Sequence, residues 1–261
     1  MNHKNMTREL KRYFIQLSYD GTAYHGWQIQ ENTFRTIQQV LNEMLSRLLN
    51  EPVFVTGCGR TDTGVHAKEY YAHFDCSINL KEDEAKWIFK FNHALPGDIA
   101  LQKIIEVADN ANARFDAVSR TYEYHIHQKK NPFLTNRSYF MYFNLNVDQM
   151  NKAAALLFEY IDFSSFAKSN TQNFTSNCKI YKAEWQVKND KLIFTISADR
   201  FLRNMVRAIV GTLINVGKGK ISLEEFKTII EKKNRSGAGL SVPACGLYLT
   251  NVTYPKNQFN E

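Results

Sequence analysis

Apolar residues recur along the chain with two spacings, and the spacing changes at recognisable turn and cap residues. RYFIQLSY (12–19) is a β-branched and aromatic run that closes on the turn Asp20-Gly21, which predicts a strand. Thr36 and Gln39 form a capping-box pattern, and Ile37, Val40, Leu41, Met44, Leu45, Leu48 and Leu49 follow at helical spacing. Short strands are expected at 53–57 and at YYAHFDC (70–76), separated by the small and polar loop CGRTDTGVHA. Residues 82–93 read as a helix and LQKIIEV (101–107) as extended chain. SRTYEYHIH (119–127) alternates as a strand, and 147–161 is helical with Met150, Ala154, Leu157 and Tyr160 in step. KIYKAEWQV (179–187) and KLIFTISA (191–198) form a strand pair about Asn189-Asp190. FLRNMVRAIVGTLINV (201–216) is a helix stopped by Gly217. Ser222 and Glu225 cap a short helix at 223–233, and GLYLTNVTY (246–254) is a last strand.

The order is roughly β-α-β-β-α-β, followed by a similar series. The expected fold class is α+β, with two similar halves (1–112 and 113–261), each a mostly antiparallel sheet with helices on one face and a cleft between them. The halves share no strong sequence repeat. Hydrophobic residues make up 44% and charged residues 23%, as in ordinary globular proteins. No apolar run reaches the length of a membrane span, and the polar, basic start MNHKNMTRELKR is unlike a secretory leader, so a cytoplasmic protein is expected. Cys58, Cys76, Cys178 and Cys245 are far apart, which points to reduced, mostly buried thiols rather than a zinc site or disulfides. A formal net charge of +7 is compatible with a polyanionic partner.

Candidate chemistry concentrates in residues 57–67. Gly57, Gly59 and Gly64 surround Arg60, Thr61, Asp62, Thr63 and His66. Glycines let a ligand approach the backbone, and an aspartate held there can serve as nucleophile, base or metal ligand. Alone, TDTG reads equally as a turn with a capping aspartate. In the helix at 201–216, Phe201, Met205, Ile209 and Leu213 form one apolar stripe, while Arg203 and Arg207 sit four apart on another face near Arg200. His125 and His127 share a strand face as a surface pair or a metal-ligand pair. Tyr24 and Trp27 fit either core packing or stacking on RNA. Lys129 and Lys130 are read as solvated.

The whole string CGRTDTGVHA resembles the catalytic motif of the tRNA pseudouridine synthase A family, GRTDAGVHA, with Thr63 in place of the usual alanine. Six further segments match that family in order: YDGTAYHGWQIQ (19–30), FNHALPGDIAL (91–101), ARFDAVSRTYEYHI (113–126), DFSSF (162–166), FLRNMVRAIVG (201–211) and GLYLTNVTYP (246–255). The resemblance implies a ferredoxin-like duplicated pseudouridine synthase fold with a central basic cleft. It also implies a homodimer, with one tRNA touching both subunits and no cofactor or metal. The implied reaction isomerises uridine at positions thirty-eight, thirty-nine and forty of the anticodon arm. Carried over by motif, Asp62 is the nucleophile, Tyr122 contacts the target base, Arg207 is the basic partner of Asp62, and Arg60 helps displace the nucleotide. Arg203 and Leu247 join Tyr122 and Arg60 as substrate-binding residues, with Arg200 near phosphate.

The chemistry of that reaction fits these residue types. A uridine must leave its stack before its glycosidic bond is reachable, at a cost of a few kcal/mol that stacking and backbone contacts offset. A tyrosine offers the extruded base a ring face and a hydroxyl. A guanidinium beside a carboxylate favours the ionised, attacking form. Two other readings are an inactive RNA-binding module and a metal-dependent RNA hydrolase using Asp62, His66 and Asp75.

Overall fold

The apolar run RYFIQLSY becomes β1 (Lys11–Tyr19), which buries Tyr13, Ile15 and Leu17 on one face and Phe14 on the other. The computed structural model describes residues 9–31, 33, 35–168, 175–188, 190–256, 258 and 259. Helix α1 (Ile37–Leu49) starts where expected, because the Thr36 hydroxyl accepts from the Gln39 amide. Only half of the capping box forms, since the Gln39 side chain turns outward to Glu43. The strand expected at 53–57 shrinks to β2 (Thr56–Gly57). Its earlier backbone bonds go to α1 side chains instead: Ser46 and Asn42 accept from Val53 and Val55, and Gln38 donates to the Val55 carbonyl.

β3 (His66–Cys76) begins four residues before the expected strand and takes in the end of the glycine-rich loop. α2 (Glu84–Ala94), β4 (Ile99–Val107) and β5 (Ser119–His127) follow, then the two-residue β6 (Tyr139–Phe140), which the sequence did not announce. α3 (Val147–Leu156) is shorter than expected and tightens into a 3₁₀ turn at Leu157–Glu159. β7 (Ile180–Lys188) and β8 (Lys191–Ala198) pair as an antiparallel ribbon; Asn189 of the expected turn lies outside the described residues.

α4 (Met205–Gly217) corrects the reading of 201–216 in three respects. It starts at Met205, because Asn204 holds φ at 68°, a left-handed conformation that a right-handed helix excludes. Arg203 therefore lies in the preceding turn and not four along a helix face. Instead of one stripe, the helix is buried nearly all round, leaving only Arg207 and Asn215 less enclosed. Gly217 is its last residue rather than its stop. α5 (Leu223–Glu231), with a complete Ser222–Glu225 capping box, and β9 (Leu247–Thr253) complete the chain.

Where two sheets were expected, the described residues form one nine-stranded, mostly antiparallel sheet ordered β4-β1-β3-β9-β5-β8-β7, with β2 on β3 and β6 on β5. The join at its centre is a short parallel pairing of β3 and β9, His66 opposite Tyr248 and Ala67 opposite Leu249. Two apolar clusters flank that join. The first packs α1 and α2 against β1, β3 and β4; the second packs α3, α4 and α5 against β5, β7 and β8. Two exchanges stitch them together. Leu249, Val252 and Tyr254 from the chain's end enter the first cluster, and Val65 from the early loop enters the second. Tyr122 on β5 packs against both. No helix among the described residues is long and apolar enough to cross a membrane.

Candidate active site

Residues 58–65 have no regular hydrogen-bond ladder, yet their backbone groups are held by the surrounding first half. Cys58 N–H donates to the Tyr71 carbonyl at 2.8 Å, and the Tyr70 hydroxyl donates to the Gly59 carbonyl. The Thr61 carbonyl accepts from Trp27 N–H at 3.2 Å, and its hydroxyl meets the buried Tyr19 hydroxyl at 2.9 Å. Val65 N–H closes a turn on the Asp62 carbonyl at 3.1 Å. Gly26 makes the close approach feasible. Its φ is 82°, and a Cβ there would stand 2.5 Å from the Thr61 carbonyl oxygen.

These bonds settle the roles of Tyr24 and Trp27. Both are core residues, 1% and 3% exposed, and Trp27 stacks on Tyr70 at 4.1 Å. The segment 19–27 therefore serves as the bed of the loop. His66 orients the loop's far end. Its Nδ1 accepts from Gly21 N–H at 3.1 Å, and Nε2 faces the carbonyls of Asn136 and Cys245 at 2.9 and 3.2 Å. Burial, above all, pushes the His66 pKa down despite the nearby Asp20 carboxylate, so the ring is neutral at pH 7.

The Asp62 carboxylate faces two cations from the second half. Arg207 Nη1 donates to Oδ2 at 3.1 Å, and Arg203 Nε stands 3.9 Å from Oδ1. The two differ in how they are held. Arg207 projects from the first turn of α4 with its Nε donating to the Val242 carbonyl at 2.7 Å, and its own carbonyl accepts from Val242 N–H at 3.2 Å. That crossing needs Gly211, where a Cβ would stand 1.9 Å from the Leu240 carbonyl oxygen. The Arg207 side chain is 20% exposed, whereas that of Arg203 is 52% exposed. A cation tied to a main-chain acceptor loses little freedom in holding a carboxylate, so the Arg207 pair is the better organised one.

Tyr122 is half-buried at the junction of the two clusters, its ring edge-on to Phe201 at 5.2 Å. A β-bulge between Thr121 and Tyr122 shifts the pairing with β9, which places Tyr122 opposite Leu249 and, through it, in line with Ala67 of β3. Burial pushes the phenol up, and the charge of Asp62 adds to that shift, so it is neutral at pH 7. Cys58 is buried and pushed up to about 11 by that burial, which leaves a neutral and poorly nucleophilic thiol.

The remaining candidates separate. Arg60 is exposed and makes no hydrogen bond or ion pair among the described residues. Arg200, Lys129 and Lys130 are also exposed. Leu247 is 6% exposed and belongs to the second apolar cluster, so its side chain offers little surface to a ligand. His125 and His127 are not a surface pair: they are 8% and 5% exposed, with His125 Nε2 2.9 Å from the Glu123 carboxylate and His127 beside Phe140. The three residues of the hydrolase reading do not converge. Asp75 is taken by a bidentate pair with Arg12, at 2.7 Å for each bond, and no group of three ligating side chains is close enough to hold a metal among the described residues. Sequence reasoning missed Arg120. Its signal was its place in the matched segment ARFDAVSRTYEYHI, two residues before Tyr122, and its guanidinium donates to four backbone carbonyls.

Comparison with known proteins identifies relatives over nearly the whole chain. Residues 153–255 match a family model described as tRNA pseudouridine synthase. Among curated relatives, the tRNA pseudouridine synthase A of Bacteroides fragilis is 49% identical over 251 residues, covering 96% of this chain and 99% of its own. Its namesake in Parabacteroides distasonis is 48% identical over 253 residues, covering 96% of this chain and 98% of its own. The one in Porphyromonas gingivalis is 47% identical over 252 residues, covering 96% and 100%. The chain belongs to the tRNA pseudouridine synthase A family.

Proposed function

We propose that this protein isomerises uridine to pseudouridine at positions thirty-eight, thirty-nine and forty in the anticodon arm of tRNA, with Asp62 as the nucleophile. The observation that carries this reading is the Arg207–Asp62 pair at 3.1 Å, in a loop whose backbone is already immobilised. A nucleophile held in its reacting geometry avoids the entropy of finding it, an effect of about 7–11 kcal/mol for well-oriented groups.

In this reaction the N1–C1′ bond breaks and a C5–C1′ bond forms, with a proton leaving C5 and one arriving at N1. The change is redox-neutral and needs no cofactor. Asp62 supplies the attacking oxygen, and the bond it forms to the nucleoside is broken again before pseudouridine leaves, which regenerates the carboxylate. Arg207 keeps that oxygen aimed. The neutral Tyr122 ring receives the flipped uracil, and its hydroxyl is placed to hold or move a proton. Arg60 fills the space left by the extruded nucleotide, and Arg203 leaves Asp62 to meet a phosphate. Leu247 supports the base through the floor of the site rather than by open contact. The two apolar clusters act as the two halves, 1–112 and 113–261, of a duplicated unit with a basic cleft between them. The protein works in the cytoplasm as a homodimer, with one tRNA touching both subunits.

Incubation with unmodified tRNA transcript, followed by mapping of pseudouridine, tests the reading. Product at the three anticodon-arm positions is expected. Binding without any product would leave an RNA-binding module and overturn it.

A further inference from the structure

Arg120 has no part in the proposed chemistry, yet it is among the most engaged side chains near the site. Nη1 donates to the carbonyls of Ala117 at 2.9 Å and Asp199 at 3.0 Å. Nη2 donates to those of Cys58 at 2.9 Å and Arg114 at 2.6 Å. All four acceptors are main-chain oxygens and none is a carboxylate. Arg12, by contrast, spends two of its donors on Asp75 and gives one to the Ala111 carbonyl. A planar guanidinium presents its donors in a fixed fork, so four carbonyls bound to one such group are fixed relative to one another.

The position of those carbonyls along the chain gives the cluster its meaning. Cys58 opens the loop that carries Asp62. Asp199 follows β8 and opens the turn that carries Arg203 and leads into α4 with Arg207. Ala117 and Arg114 lie in the approach to β5, which carries Arg120 itself and Tyr122 two residues on. Each of the three stretches that supply the site thus has one end at a single guanidinium. After Asp62, the loop is secured to the second half by the pairing of β3 with β9. Before Asp62, among the described residues, the bond from Arg120 to Cys58 is the hydrogen bond that reaches the loop from beyond residue 113.

We propose that Arg120 is the positioning residue that sets the register between the Asp62 loop, Tyr122 and the Arg207 segment. Its role rests on the reading of the site given above, since it acts through those three groups and touches no reacting atom. A lysine at this position carries its protons on a single nitrogen and cannot span carbonyls on both sides, although it keeps the charge.

The test compares Arg120→Lys with Arg12→Lys, which loosens the first half away from the site. Three quantities are read: the single-turnover rate of pseudouridine formation, tRNA affinity, and hydrogen exchange at the Trp27 and Gly64 amides, both bonded within the loop and its bed. Arg120→Lys is expected to slow turnover about a hundredfold per folded molecule, the scale of a misplacement near 1 Å. Affinity should stay within about threefold, because ground-state contacts are intact. Exchange at both amides should rise by about tenfold through local opening. Arg12→Lys should leave turnover per folded molecule unchanged. Wild-type exchange in Arg120→Lys, or equal loss of turnover in both variants, overturns the proposal. Absence of product from the wild-type protein would instead refute the assigned reaction, and the exchange comparison would still decide whether Arg120 registers the loop.

Discussion

The loop 58–65 and the turn 199–204 are both irregular, and both bring charge to the same point, but they are built in opposite ways. The loop carries one anion and is held along its length by buried aromatic side chains and by main-chain bonds to segment 19–27. The turn is bonded through its backbone, with the Arg203 carbonyl accepting from Lys168 N–H at 3.0 Å and the Asn204 side chain donating to the Ser241 hydroxyl at 2.6 Å, but it leaves the side chains of Arg200 and Arg203 exposed. The Asp62 carboxylate is therefore carried on a seated loop, whereas one of the two cations it faces, Arg203, is half exposed. Arg207 belongs with the loop in this respect, since Val242 fixes it. An anion that must attack a chosen atom gains from fixity, and a cation that must find a phosphate gains from reach.

Substitutions on each side should separate these two designs. Arg207→Gln removes the fixed cation and leaves the carboxylate without its organised partner. Turnover should fall on the order of 10³-fold with little change in tRNA affinity, and a loss confined to affinity would contradict its grouping with the loop. Gly26→Ala forces a side chain into the Thr61 carbonyl at a positive φ. It should cost about 1–3 kcal/mol in denaturant unfolding and lower turnover with it, and an unaffected unfolding midpoint would show that the loop is not seated on Gly26. Arg203→Ala should mainly weaken binding and reduce the slope of log affinity against log salt by about one, whereas an unchanged slope would remove Arg203 from the phosphate contacts.

The smallest effect is on pH. His66 and His73 are both pushed below the ordinary histidine range, chiefly by burial. Between their folded values and about 6.5 the unfolded chain binds more protons than the folded one, so stability present above that range is lost as pH falls through it, by at most about 1.4 kcal/mol per group per pH unit. Urea midpoints should drop between pH 7.5 and 5.5, and His66→Gln should reduce the drop. A flat profile would argue that His66 is not held neutral beneath the loop.

Much of this arrangement was legible from local pattern. The apolar run at β1, the Thr36 cap and the capping box of α5 depend on neighbours in sequence, and they appear where expected. What failed depends on distant partners. The strand at 53–57 lost its ladder to side chains of α1, and α4 lost its expected polar face because both the second core and segment 239–242 enclose it. The sheet is continuous because β9 returns to pair with β3, a contact across nearly the whole chain that no window of sequence contains. Around the site, motif position led to Asp62, Arg207 and Tyr122. It marked Arg120 within the matched segment 113–126 but gave it no role, because its acceptors are carbonyls of other residue types and leave no side-chain pattern to read.

The central claim is that the Asp62 oxygen performs the attack. Single-turnover assays of Asp62→Asn on unmodified tRNA, with affinity measured in parallel, test it most directly. The substitution keeps the shape of the side chain and removes its charge. Pseudouridine formation should fall by about 10⁴-fold or more, while affinity stays within about tenfold, roughly 1.4 kcal/mol. Turnover near the wild-type rate in this variant would contradict the account.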